Sequence, residues 1–311
     1  MKLHMALGLM LVLGVSACSD TLGLGNATEE EREDIVAELD ESGLFGEAFG
    51  DDGIPASASV VTYGYSAPPE GDAPFRWGRR HGRPVRREVN VVVEENVATV
   101  TRTLVFEGSF IVGHPESETV VRKPANETMV QRAVLMRREQ AQTDQNTGRV
   151  RRWRIVELSP QEWFLTREDA RTVDIERVEV LINGESAIVI EDPEMLFDVD
   201  TELPHMQVGD EVRVTARVAN YTGEHPEGDA ATYVFLHLFH ASQDGRKWLR
   251  VPMEFDEETG MYIKTWVARH DGRERIVVDA IDADAFAMDR EDSYRANLWA
   301  LPYRVEADRA N

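Results

Sequence analysis

The chain has 311 residues, 57 acidic against 34 basic side chains, a net charge of −23 and one cysteine. So acidic a balance repels nucleic acid and anionic lipid as default partners. A lone thiol leaves no internal disulfide, so stability has to come from packed cores, and the length suffices for two ordinary domains.

The first residues are Met1-Lys2-Leu3-His4, followed by an apolar run from Met5 to Leu13 and then Gly14-Val15-Ser16-Ala17-Cys18. A weakly basic head, a short apolar stretch and small residues before a cut are the parts of a secretory signal. The run falls short of the ~20 residues that cross a bilayer. Residues 1–17 are therefore expected to be removed, leaving 294 residues, and 18–27 to form a tether. Val15-Ser16-Ala17-Cys18 resembles the lipobox of bacterial lipoproteins. The resemblance implies a diacylglyceryl group on Cys18, an acylated new N-terminus and membrane attachment. Ser19 in place of Asp implies the periplasmic face of the outer membrane where a cell has two membranes. The alternative is ordinary cleavage after Ala17, with Cys18 an idle thiol.

Thr28 is read as an N-cap with Glu31 as its capping-box partner, and Ile35, Val36 and Leu39 follow at helical spacing. This predicts a helix of about four turns ending at Gly43. Residues 46–82, rich in Gly, Pro, Ala and Ser, read as a long loop. Within it and just beyond lie Arg76, Arg79, Arg80, Arg83, Arg86 and Arg87, interrupted by Trp77 and His81. Arg76, Arg79, Arg80 and Arg83, with Trp77 stacking, would suit an anionic glycan or lipid headgroups; the alternative is a solvated loop paired with the chain's own carboxylates.

Strands are predicted over 88–94 and 97–106, turning at Glu95-Asn96. Residues 129–139 fit either a helix or a strand. Residues 149–158 read as a strand with Trp153 and Ile155 on one face, and Arg149, Arg151, Arg152 and Arg154 at its solvent-facing positions. A leading helix, a curved sheet and a last strand Arg152-Trp153-Arg154-Ile155-Val156-Glu157-Leu158-Ser159-Pro160 resemble the cystatin-like cone of the nuclear transport factor two-like superfamily, over about 28–165. That superfamily includes both enzymes and non-catalytic binding domains, so the resemblance leaves function open.

In the second half, Asn183-Gly184, Asp244-Gly245, Glu258-Thr259-Gly260 and Asp271-Gly272 each separate strand-like runs, as tight hairpins require. Val212, Val214, Ala216 and Val218 alternate with Arg213, Thr215 and Arg217, which puts one strand face on a core. The run 232–239 is apolar on both faces and belongs at a sheet centre, and 294–300 supplies a closing strand. This spacing predicts an immunoglobulin-like β-sandwich over 173–306, meeting the first domain near 166–172.

Asp279, Asp282, Asp284, Asp289, Glu291 and Asp292 cluster near a strand end, where hard carboxylate oxygens would suit Ca²⁺. The spacing is not that of an EF-hand, and a solvated acidic loop is the alternative. His237 and His240, three apart on a strand, point to opposite faces and cannot form a simple metal pair. No His-Glu-x-x-His, Gly-x-Ser-x-Gly or phosphate-cradling loop occurs. The predicted fold class is thus an α+β N-terminal domain, cone-like, plus an all-β C-terminal domain. The expected function is that of a membrane-anchored envelope lipoprotein that binds another protein or a glycan, without a cofactor. Alternatives are an isomerase or hydrolase with its site in the cone cavity, and a structural component of envelope assembly.

Overall fold

The computed structural model describes residues 20–22, 27–42, 44, 76–113, 120–143, 148–223, 227–228, 230–242, 245–289 and 293–307. The helix forms where the capping signal places it: α1 spans Glu29–Glu41, Thr28 accepts from the Glu31 amide, and Glu31 returns a bond to the Thr28 amide. Ile35 and Leu39, a helical turn apart, are buried against the sheet together with Val91, Val100, Leu135 and Trp153. No helix among the described residues is long and apolar enough to cross a membrane.

Otherwise the described residues are mostly β-sheet. The strands of the first half are β1 (Asp20–Leu22), β2 (Arg76–His81), β3 (Arg86–Glu94), β4 (Val97–Phe106), β5 (Gly108–Gly113), β6 (Val120–Pro124), β7 (Glu127–Thr143), β8 (Val150–Leu158) and β9 (Gln161–Leu165). The second half supplies β10 (Val173–Ile182), β11 (Glu185–Ile190), β12 (Phe197–Asp198), β13 (His205–Gln207), β14 (Glu211–Asn220) and β15 (Thr232–Ser242). They are followed by β16 (Gly245–Pro252), β17 (Glu254–Asp256), β18 (Met261–Val267), β19 (Gly272–Asp282) and β20 (Ala296–Glu306).

One large sheet runs β1-β3-β4-β7-β9-β20-β19-β15-β16 and so draws strands from both halves of the chain. Its branch point is the bend at Ser159-Pro160, where β8 and β9 follow one another along β7. Beyond the bend β9 takes β20 as its second neighbour, whereas β8 takes β12. A five-stranded sheet, β11-β10-β14-β18-β17, packs face to face on the C-terminal part of the large sheet. Val178, Val180, Val212 and Val214 meet Val278, Ala280, Trp299 and Leu301 between them, giving the sandwich its core. A three-stranded sheet, β2-β5-β6, covers part of the other face, around Phe110, Val112, Ile281 and Tyr294.

Several expectations are corrected. Residues 76–81, read as loop, form β2, because antiparallel pairing with β5 takes up their backbone hydrogen bonds. The ambiguous run 129–139 lies inside β7, since the pairing of β7 with β4 overrides its weak helical spacing. Asp271-Gly272 is no hairpin: β18 pairs with β14 and β17, while β19 pairs with β20 and β15, so Gly272, at φ 136°, turns the chain from one sheet into another. Asn183-Gly184 does close a hairpin, with φ of 52° and 86°. Within the segment read as a tether, residues 20–22 pair with β3 in parallel. The leader, Cys18, Asp244 and residues 46–75 lie outside the described residues.

Candidate functional site

The basic segment is divided between interior and surface. Along β2 side chains alternate, and Trp77 and Arg79 point inward. Trp77 is packed among Phe110, Phe235 and Phe286, with the Arg250 guanidinium 4.6 Å from its ring centroid. Arg79 is only 4% exposed. The expectation that Arg79 offers a ligand-binding surface is therefore corrected, since it does not face solvent, while Trp77 is half-buried with its ring packed against this core. Arg80 and Arg83 are exposed, and the Arg76 side chain lies outside the described residues.

Arg79 is the centre of a buried chain of ionisable groups. Its Nη1 and Nη2 donate to Asp279 Oδ2 and Oδ1 at 2.5 and 2.6 Å, and its Nε donates to the Tyr294 hydroxyl. His237 Nε2 lies 2.9 Å from Asp279 Oδ2. At the other end, Tyr294 donates to Glu127 Oε1 at 2.6 Å, and Glu127 Oε2 meets His81 Nε2. Burial alone would raise the Asp279 carboxyl, but Arg79 and His237 outweigh it and hold the group well below the usual carboxylate range. Glu127 is likewise lowered, its burial outweighed by His81 and Arg79. His237 is lowered because burial disfavours its charged form more than Asp279 favours it. Burial pushes the Tyr294 hydroxyl up, keeping it a neutral donor. β2 can lie this close to β5 because residue 108 is glycine: a Cβ there would sit 2.6 Å from the Arg80 carbonyl oxygen. The chain of pairs clamps the three-stranded sheet onto the large one.

The same clamp accounts for part of the acidic cluster. Asp279, expected as a cation ligand, has both oxygens engaged by Arg79. Asp282 accepts from Asn220 and caps the short 3-10 turn Ala283–Phe286 through the Asp284 amide. A carbonyl and a hydroxyl oxygen of the following loop converge on a protein cation instead: Lys123 Nζ donates to Ala287 O at 2.6 Å and to Ser293 Oγ at 2.8 Å. Asp289 is exposed, while Asp292 lies outside the described residues. Among the described residues no three His, Cys, Asp or Glu side chains come together to hold a metal ion.

On the opposite face of β7, β9 and β20 lies a half-open cleft of about 440 Å³. Alternation brings Val130 and Arg132 of β7, Glu162 and Phe164 of β9 and Asn297 of β20 to this face. Asp174 at the start of β10, Glu194 and Tyr221 complete the rim. Three of the charges are already engaged: Arg132 pairs with Glu194, and Arg171 stacks 4.2 Å over Phe164 while donating to Leu165 O. Among the described residues the Asn297 amide, 3.4 Å away, is the one side-chain donor to Glu162. Burial raises its carboxyl, and Asp174 and Glu194 add to that rise. Asp174 is raised by burial and then by Glu176. Tyr221 is 44% exposed, its ring seated over Gly228, where a Cβ would come within 2.9 Å. Sequence reading passed over this cleft, because its walls come from β7, β9, β20 and the start of β10. The available signal was the alternation in Gln161-Glu162-Trp163-Phe164-Leu165, which places one carboxylate and one ring on the same face. Compared with protein-family models, curated proteins and solved structures, the chain has no match.

Proposed function

We propose that the chain is an envelope lipoprotein, held to a membrane by lipid on Cys18, whose folded body binds a hydroxyl-rich ligand, a glycan, in the cleft around Glu162. The observation that carries the binding reading is the cleft itself. Its volume falls in the ~300–1,000 Å³ range of small-ligand sites. It offers carboxylate and amide groups to accept and donate to hydroxyls, and the exposed Tyr221 ring to cover an apolar sugar face. A helix packed on a sheet and a two-sheet core in the second half support reading the chain through these resemblances. The space between α1 and its sheet is filled by Ile35, Leu39, Val100, Leu135 and Trp153, which favours the cleft over a cone cavity as the site.

A second reading is hydrolytic: two carboxyls with raised affinity for protons on one cleft suit general acid–base work. One experiment separates the two. Natively expressed protein is checked for acylated Cys18 by intact mass, then titrated calorimetrically with an envelope-glycan panel while the products are followed by mass spectrometry. Binding weakened tenfold or more by Tyr221→Ala and Glu162→Gln, without cleavage, is expected. Cleavage abolished by Glu162→Gln establishes the hydrolytic reading, and binding unaffected by either substitution overturns the cleft assignment.

A further inference from the structure

β1 fixes more than a strand edge. Asp20, Thr21 and Leu22 pair in parallel with Arg87, Glu88 and Val89, so the N-terminal end of β1 points back along β3 toward Arg86 and Val85. Only Ser19 separates Cys18 from this strand, and two residues of chain span at most ~7 Å. A headgroup layer is itself ~5–8 Å deep. A lipid on Cys18 therefore leaves no stand-off between the bilayer and the start of β3.

What lies at that start is the loop 82–85. Gly82 and Arg83 are exposed, Pro84 is half-buried, and Val85 is 46% exposed at the loop's end. The Val85 amide bonds to Val105 O, and Gly82 to Glu107 O, so the loop is held to the sheet edge. Arg86 is matched by Glu88 and Arg87 by Asp40. Arg80 and Arg83 make no ion pair among the described residues, and Glu107 is the exposed acid beside them. The chain's overall negative charge does not forbid contact with anionic lipid, because charges beyond ~8 Å are screened at physiological salt and only those beside the loop act on it.

Resting on the lipid-anchored reading, we propose that residues 80–86 are the membrane-contacting edge of the protein. Val85 enters the interface, Arg80 and Arg83 meet phosphate headgroups, and the body lies on the bilayer instead of hanging from a tether. The orientation leaves the part of the Arg-rich segment that the buried clamp does not use with a partner of matching chemistry.

The test uses the full acylated protein in vesicles of phosphatidylethanolamine and phosphatidylglycerol. Because the thiol of Cys18 would be alkylated by its lipid, Val85→Cys supplies a single labelling site, and Glu258→Cys, in the exposed turn between β17 and β18, supplies the control. A polarity-sensitive dye at position 85 is expected to shift to the blue and to be quenched by headgroup-labelled lipid, while the dye at 258 stays in water. Arg80→Glu with Arg83→Glu is expected to weaken the quenching at 85. Acylated protein whose dye at 85 stays as water-exposed as the one at 258 overturns the proposal and leaves the anchor standing. An unacylated N-terminus overturns both.

Discussion

Asp279 shows at the residue scale how charge, burial and partner decide a role. Its carboxylate has no water to fall back on, so its worth lies in the bonds from Arg79 and His237. Asp279→Ala leaves the Arg79 charge buried without its main partner and is expected to cost ~3–5 kcal/mol, read as a lower urea midpoint. Replacing both by apolar residues, Arg79→Met with Asp279→Leu, is expected to recover part of that loss. Acidification acts on the same chain. His237, Asp279 and Glu127 all have folded pKa values below their unfolded ones, so the stability they contribute is present above the unfolded values and lost as pH falls. The loss starts below ~6.5 for His237 and below ~4 for the carboxylates. Glu162, Asp174 and Glu38, raised by burial, act with the opposite sign and stabilise as pH falls. His237→Gln isolates one contribution: relative to wild type it is expected to be more stable at pH 5 than at pH 7, and a constant difference across that range would refute the assignment.

At the scale of elements, α1 and its strand pair were legible and their electrostatic fit was not. The capping box, the helical spacing of Ile35 and Leu39 and the inward Trp153 could be read because they are local. The arginines of β8 were read as facing solvent, yet Arg151 pairs with Glu38 and Glu41, and Arg152 with Glu30 and Asp34. Arg137 and Arg138 of β7 reach Glu31 and Glu38 of the same helix. The match joins residues a hundred or more positions apart, and nothing in either segment alone announces it. The exposed pairs among these, such as Arg152 with Glu30, are individually worth little, and Glu38 gives up hydration to make its own, so the helix depends on its apolar face and its cap. Thr28→Ala, which removes the hydroxyl that accepts from the Glu31 amide and leaves the backbone half of the capping box, is expected to lower stability by ~1 kcal/mol. Raising salt to screen the arginines is expected to move the midpoint less than that single substitution.

For the whole molecule, hairpin turns and alternation in the second half identified strands, and two cores were visible as two regions of apolar periodicity. The route of the chain between them was not legible, because pairing of β9 with β20 is set by residues over 130 positions apart and leaves no local pattern. The same pairing builds the cleft, which is why Glu162 escaped notice while the Arg-rich and acidic runs, conspicuous in sequence, were turned largely to internal bonds. This route has a thermodynamic consequence. Two domains joined by a linker at 166–172 would each keep a closed core and melt separately. Here Leu104, Phe106 and Met129 share a core with Val277, Leu298 and Ala300, and Phe110 shares one with Ile281 and Tyr294. Unfolding either half would strip apolar cover from the other and leave Arg79 or Asp279 buried without its partner. The chain is therefore expected to unfold in one cooperative transition, with calorimetric and van't Hoff enthalpies in agreement. A fragment ending at residue 165 is expected to lack fixed tertiary structure, with ANS bound and the near-ultraviolet dichroism of Trp163 lost. Two resolved heat-capacity peaks, or a fragment that melts cooperatively by itself, would show that the shared sheet joins two units already stable apart.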